Sequence, residues 1–172
     1  MTFHSYNQKR NRSLMHCTVH SKIRDVSVTV CNWKQVLLGS TSALVYLQAK
    51  GILHNDIKTD NILIERLSGS DVLIDFNKAC RSDEGQVYKL SHEKKDKYAQ
   101  HHPQVAPEVR CGIERQSFAS NMYSFGRVLH KINSKVLKIP CLDSMSAVCL
   151  SVKSSERPSA HELSTFLVSL LV

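Results

Sequence analysis

Four residues carry the reactive chemistry of this sequence: Asp56, Lys58 and Asn61 in "HNDIKTDN", and Asp75 at the end of "DVLID". An Asp two positions from a Lys can accept a hydroxyl proton while the ammonium group neutralises charge building on a phosphoryl oxygen. Asn61 and Asp75 offer oxygens of the kind Mg²⁺ takes, since that ion favours a few protein ligands plus substrate phosphates over a full protein cage. Two short apolar runs, "ILIE" and "DVLID", joined by the turn-forming "LSGS", predict a hairpin that returns Asp75 to the end where Asn61 sits. Together these features suit phosphoryl transfer, in which positioning and electrostatics do nearly all the work. The same residues also read as the polar decoration of a turn, with Asp56, Lys58 and Asp60 solvated and Asn61 capping it. The loop alone favours neither reading.

These side chains need a frame to hold them. Asn32 with Gln35 makes a capping box, and Val36, Leu37, Ser40, Leu44 and Leu47 share one face, predicting a helix from Asn32 to a stop at Gly51. Ile52 and Leu53 read as a tiny strand. From Asn77 to Pro107 the chain is polar and charged without a sustained period, which predicts a long loop, functional or disordered. Ser120 then caps a helix with Met122, Phe125, Leu129 and Ile132 inward. Asp143 starts another carrying Met145, Val148, Cys149 and Val152. Ser159 and Glu162 open a third ahead of Leu163, Phe166, Leu167 and Leu170. The fold class is mainly α with a small β-hairpin, whose mouth presents the polar residues.

A length of 172 residues suits one domain or one lobe. The formal charge of +8 is uneven: Lys9, Arg10, Arg12, Lys22, Arg24 and Lys34 stand against Asp25 in the early sequence. No aromatic platform or groove-reading motif accompanies them, so a solvated basic face explains them better than nucleic-acid binding does. Six cysteines form no C-x-x-C pair, and the opening residues lack the apolar core of a signal peptide. Reduced thiols and a cytoplasmic setting are expected. No window is apolar for long enough to span a bilayer, so no membrane association is expected. His16/His20 and His101/His102 lack Cys or carboxylate companions at metal-ligand spacing.

Five segments, in order, resemble the catalytic domain of eukaryotic protein kinases. "HNDIKTDN" is similar to the catalytic loop H-R-D-L-K-x-x-N, and "IDFNKA" to the D-F-G segment. "APEV" matches A-P-E, "NMYSFGRVL" resembles the D-x-Y-S-F-G helix, and "ERPSAHEL" the late R-P-[ST] element. The resemblance runs almost continuously from residue 33 to 172. It implies a protein-kinase-like fold, with the large C-terminal lobe at residues 32–172, the catalytic loop at 54–61 and the activation segment at 75–108. Residues 1–31 would be a hinge and a remnant of the small lobe, with "MTFHSYNQ" its last strand and "RSLMHCTVHSKI" a short helix. The resemblance also implies roles. Asp56 orients the substrate hydroxyl and accepts its proton, Lys58 steadies the transferred phosphoryl group, and Asn61 and Asp75 hold Mg²⁺ on ATP. His54 and Phe76 stack, Asn121 bonds the catalytic-loop backbone, and Glu108 pairs with Arg157. The Lys in "DIKTDN" follows the serine/threonine pattern, while "MYSFG" and "ERPS" lean toward the tyrosine-kinase-like group.

The departures from that pattern are specific. No G-x-G-x-x-G loop, V-A-I-K-type lysine or partner-helix Glu precedes the catalytic loop, so most of the N-terminal β lobe is absent from the sequence. The expected function is transfer of the ATP γ-phosphate to protein Ser/Thr hydroxyls, in a chain truncated before the catalytic loop. A partner or a missing segment would supply the other lobe. The alternative is an inactive kinase-like lobe that acts as a protein-binding module. Asn55 replaces the Arg that receives an activation-loop phosphate, which implies activity independent of that phosphate. Asn77 replaces a Gly where a positive φ is expected, and His101 stands in a Thr position on the substrate side. "NSKVLKIPC" is what is left of a further helix.

Overall fold

The computed structural model of the protein describes residues 16–23, 30–65 and 69–171. "MTFHSYNQ" and most of the segment 1–31 lie outside the described residues. Where "RSLMHCTVHSKI" suggests a short helix, the described part is a strand, β1 (His16–Thr18), and then a single helical turn, α1 (Val19–Lys22). Thr18 marks the change. Its extended backbone ends the strand, and its Oγ1 accepts from the Ser21 amide at 3.2 Å as a helix cap.

Helix α2 (Val30–Ala49) begins earlier than its capping signal suggests, so Asn32 lies in the first turn and not at the cap. Trp33, Val36, Leu37, Ser40, Thr41, Leu44 and Leu47 are all buried at helical spacing. Two hydroxyls on that stripe are tolerated because each is bonded: Thr41 Oγ1 donates to the Leu37 carbonyl at 2.5 Å, and Ser40 Oγ donates to Asp71 Oδ2 at 2.5 Å. The helix stops at Gly51, whose φ of +67° is the left-handed conformation that terminates helices. Strand β2 (Ile52–Leu53) follows at once.

Strands β3 (Ile62–Glu65) and β4 (Asp71–Leu73) form the expected hairpin, antiparallel with Ile62 opposite Leu73 and Ile64 opposite Asp71. The sheet has a third strand. β1 pairs antiparallel with β3, Cys17 opposite Ile64, giving the order β1-β3-β4. A separate two-stranded ribbon joins β2 to β5 (Cys80–Arg81), placing the start of the polar loop 54–61 beside the segment after Asp75.

Asp71 gives the hairpin a pH response. Burial pushes its carboxyl up to about 6, against the opposing pull of the Ser40 hydroxyl. Between its ordinary value and about 6, the folded chain holds a proton that the unfolded chain has released. Stability contributed by this proton is therefore lost as pH rises through that window. The loss is on the order of 2–3 kcal/mol. Asp71→Asn should remove it, narrowing the difference in urea midpoint between pH 4.5 and pH 7.5; an unchanged difference would refute the assignment.

The stretch from 77 to 107 is not the structureless loop its composition suggests. It holds β5, 3₁₀ turns at Phe76–Lys78 and Ser82–Glu84, and helix α3 (His92–His101). α3 is built from good helix formers in "HEKKDKYAQH", with Glu93 in the first turn and His101 in the last, as the helix dipole favours. Its apolar content is too low for any periodicity to announce it. The one-turn α4 (Pro107–Arg110) follows, with proline at its first position.

Helix α5 (Phe118–Ile132) buries Met122, Phe125, Val128, Leu129 and Ile132. Its cap is Ser117, and Ser120 is the reciprocal half of the box: the Ser120 amide donates to Ser117 Oγ at 3.2 Å, and the Ser117 amide to Ser120 Oγ at 2.9 Å. "NSKVL" continues as one π-helical turn (Asn133–Leu137). Buried Asn133 satisfies the exit, donating to the Ile139 carbonyl at 3.0 Å and to Asp143 Oδ1 at 2.7 Å while accepting from the Ile139 amide at 2.9 Å. Helix α6 (Pro140–Cys149) starts earlier than expected, with proline at its first position; Asp143 lies in its first turn, and its carboxylate accepts from Asn133. Its inward residues are Leu142, Ser146 and Cys149; Val148 and Val152 are exposed.

Helix α7 (Ala160–Leu171) has the expected box, with the Ser159 amide donating to Glu162 Oε2 at 2.8 Å and the Glu162 amide to Ser159 Oγ at 3.2 Å. It packs along α2 through Leu163 and Leu167, and Gln48 of α2 accepts from the Ala160 amide at 3.2 Å. The protein is mostly helical with small sheets, and one apolar core joins α2, α5, α6 and α7 to β3. Among the described residues no helix is long and apolar enough to cross a membrane.

Candidate active site

The polar loop 54–61 runs from β2 to β3 and is fixed at both ends by the two small sheets. His54 is fully buried at its start. Its Nδ1 accepts from the Asp56 amide at 3.3 Å, which leaves the proton on Nε2 to be donated to the Ile74 carbonyl at 3.1 Å. Burial drives the imidazole pKa down, so the ring is neutral at physiological pH. The Phe76 ring lies 4.6 Å from it in a tilted stack.

Asn55 adopts a left-handed backbone with φ +63°, which Asn tolerates better than most residues. That turn aims its amide at Asn121 Oδ1, 3.0 Å away on α5. The Asn55 side chain reaches the other way, with Nδ2 donating to the Lys78 carbonyl at 3.1 Å and lying 3.3 Å from Cys80 Sγ. One residue thus ties the loop to α5 and to the segment after Asp75.

Asp56 is almost wholly buried between two lysines. Oδ2 accepts from Lys58 Nζ at 3.0 Å and from Asn61 Nδ2 at 3.2 Å, and Lys78 Nζ lies 3.2 Å from Oδ1. Burial opposes the charge, but the Lys58 and Lys78 ammonium groups outweigh it and hold the carboxyl below the usual range. Asp56 is therefore ionised, oriented and weakly basic.

Asn61 is positioned twice. Its Nδ2 also donates to the Asp56 carbonyl at 2.8 Å, and its own carbonyl accepts from the Ile74 amide at 2.9 Å. The second bond sets Asn61 across from the residue preceding Asp75, so the hairpin brings the two candidate ligands to one end. Asp75 is exposed and has φ +66°, ψ +69°. The positive φ falls on Asp75 and not on Asn77, which sits in the following 3₁₀ turn. Among the described residues no group of three or more His, Cys, Asp or Glu could hold a metal.

Glu108 and Arg157 meet away from this centre. Both carboxylate oxygens accept from the guanidinium at 2.7 Å, and the pair is buried. Arg157 also donates to the carbonyls of Ser151 at 2.9 Å and Ala119 at 3.1 Å, and it lies 5.0 Å from the centre of the Tyr123 ring. This arrangement joins the one-turn α4 to α5 and to the approach to α7.

The sequence reading missed Lys78. It lies within a matched segment, "IDFNKA", but at a position the motif treats as a spacer, and its contact with Asp56 depends on how the chain returns. Lys131, which with Lys135 and Lys138 reads from the sequence as a solvated helix end or a basic surface, bonds into the loop: its Nζ donates to Thr59 Oγ1 at 3.2 Å and lies 3.1 Å from His20 Nδ1.

The relatives are kinases. The chain is 29% identical over 135 residues to the serine/threonine-protein kinase GIN4 of Saccharomyces cerevisiae, covering 77% of this chain and 11% of that protein. It is 31% identical over 93 residues to the serine/threonine-protein kinase PknA of a Nostoc species, covering 54% of this chain and 16% of that protein. With the serine/threonine-protein kinase US3 homolog of Gallid herpesvirus 2 it shares 46% identity over 46 residues, covering 27% of this chain and 11% of that protein. The chain thus spans well under a fifth of the length of these relatives. The family model for the protein kinase domain matches residues 6–156, well over half of the sequence, and on that footing the chain belongs to the protein kinase domain family.

Proposed function

We propose that this chain is the large C-terminal lobe of a serine/threonine kinase domain and that it directs the γ-phosphate of ATP to a Ser or Thr hydroxyl of a protein substrate. The observation that carries this reading is the loop itself: Asp56 Oδ2 is shared by Lys58 and Asn61, while the Asn61 carbonyl is bonded to the residue before Asp75. A solvated turn would not bury an aspartate between two lysines and fix its orientation with an amide.

Asp56 orients the attacking hydroxyl and takes its proton late in the transfer, because a carboxylate held below its usual range is a weak base. Lys58, about a third exposed, can move its charge from Asp56 toward the phosphoryl oxygens as negative charge shifts there. The residues present suit Mg²⁺. Asn61 commits its amide nitrogen to Asp56, leaving the amide oxygen for an ion, and Asp75 adds an exposed carboxylate. Magnesium, which keeps several waters and substrate phosphates, needs little more. When bound, the ion would neutralise the phosphate charge of ATP. The small lobe would come from another segment or a partner; Val72 and Phe76, both large and exposed beside the site, offer apolar surface for it to cover. Cys17, Cys80, Cys111, Cys141 and Cys149 are free thiols, which suits a reducing, cytoplasmic setting.

A second reading, a kinase-like binding module without transfer, is favoured by Lys78, whose ammonium occupies the other oxygen of Asp56. One assay separates the two. The natural protein is incubated with γ-labelled ATP, Mg²⁺ and a protein acceptor, alongside Asn61→Ala and Asp75→Asn variants. The catalytic reading expects labelled Ser or Thr and a loss of about 100-fold or more in each variant. Absence of label from the unaltered protein, with the fold intact, supports the binding module.

A further inference from the structure

A groove of about 950 Å³ opens beside Lys58 and runs between residues 101–104 and the outer face of α5. That volume lies at the upper end of ligand clefts. Its walls are fixed: Ser124 Oγ on α5 donates to the Gln104 carbonyl at 2.8 Å, and Lys131 bonds Thr59 of the catalytic loop. Its charge is one-sided. Lys58, Arg127, Lys131 and Lys135 line it with four histidines, and Asp60 is the lone carboxylate in the lining. Asp60 lies 3.6 Å from His20. Lys131 donates to the Thr59 hydroxyl at 3.2 Å and lies 3.1 Å from His20 Nδ1, so its charge is positioned, and it has no carboxylate partner among the described residues. Arg127 and Lys135 are exposed and have no ion pair among the described residues.

We propose that this groove binds an acidic stretch of the protein substrate, Asp- or Glu-rich, next to the Ser or Thr presented to Asp56. The inference rests on the kinase reading above and adds the substrate class. Charge complementarity and continuity with Lys58 carry it. A fixed cationic cleft concentrates an acidic peptide and aligns it, whereas a basic peptide would face four like charges. Peptide is favoured over nucleic acid because the lining holds no Phe, Tyr or Trp on which a base could stack.

The test measures binding and transfer separately. Fluorescent peptides with one central Ser, flanked by Glu/Asp, by Gln/Asn, by Lys or by phosphoserine, are titrated by anisotropy against the natural protein and then offered as substrates. The acidic peptide should bind about tenfold more tightly than the neutral one, and added salt should weaken it. Arg127→Glu with Lys135→Glu, both at exposed positions, should remove most of that preference without shifting the melting temperature. Equal binding of the acidic and neutral peptides overturns the proposal, as does an unaltered preference in the double variant. An oligonucleotide of equal charge binding as tightly would also overturn it, by showing a general polyanion surface. A phosphoserine peptide that binds while the Glu/Asp peptide does not would reassign the groove to phosphorylated substrates and overturn the carboxylate proposal. Acidic preference in binding without any phosphotransfer would leave the groove assignment standing and sink the catalytic reading. Transfer without acidic preference would do the reverse.

Discussion

Asp56→Asn in the natural protein should lower phosphotransfer by about 10²–10⁴-fold, the range a positioned general base contributes, with little change in stability. The amide keeps nearly the same shape, and its oxygen can still accept from Lys58 or Asn61. What it loses is the capacity to take a proton and the full charge that orients a hydroxyl. The fold should tolerate the change because both lysine partners reach solvent: Lys58 is 35% exposed and Lys78 49% exposed, so neither is left as a buried unpaired charge. The measurement is initial-rate transfer beside a thermal melt. A variant retaining more than a tenth of the rate would show that Asp56 is not the base. A variant that unfolds would show that the lysine pair holds the loop together.

Arg157→Ala should have its effect on stability, with a loss of about 3–5 kcal/mol in urea unfolding. The guanidinium satisfies both oxygens of a buried carboxylate and the carbonyls of Ser151 and Ala119. Truncation strands all of them and leaves Glu108 charged inside the protein. Against a total of roughly 5–15 kcal/mol for a native domain, that loss puts the folded state at risk near body temperature. Arg157→Lys should recover only part of it, since one ammonium cannot reproduce the planar fork. Replacing both partners, Glu108→Leu with Arg157→Met, should be less damaging than Arg157→Ala, because no charge is then stranded. A loss below 1 kcal/mol in Arg157→Ala would refute this account.

What could be read in advance follows the range over which each signal acts. The inward face of α5 was legible because Met122, Phe125, Leu129 and Ile132 repeat at helical spacing within one segment. The hairpin was legible because both strands and the turn are contiguous. Helix α3 was not, since it is polar on most of its circumference and pattern reading depends on apolar period. Strand β1 was hidden for a different reason: three residues are too few to show alternation, and its pairing with β3 depends on distant chain. The Asp56–Lys58–Asn61 set was visible because the loop carries its own spacing. The Lys78 contact was not, because only the packed return of the chain brings that ammonium to Asp56. The Glu108–Arg157 partnership came from family resemblance; nothing in the spacing of two residues so far apart would have suggested it.

The packing of α2 on α7 bears on how the protein is made. The stripe of α2 carrying Trp33, Leu37 and Leu44 shares one core with Leu163 and Leu167 of α7. During synthesis α2 leaves the ribosome long before α7. At about 5–20 residues per second, the apolar stripe waits on the order of ten seconds for that partner. Over that interval α2 can be helical but not fully buried. Contacts with the hairpin and with α5, which emerge first and share the same core, can cover part of the stripe in that interval, and a chain ended before α7 would lack Leu163 and Leu167 to close it.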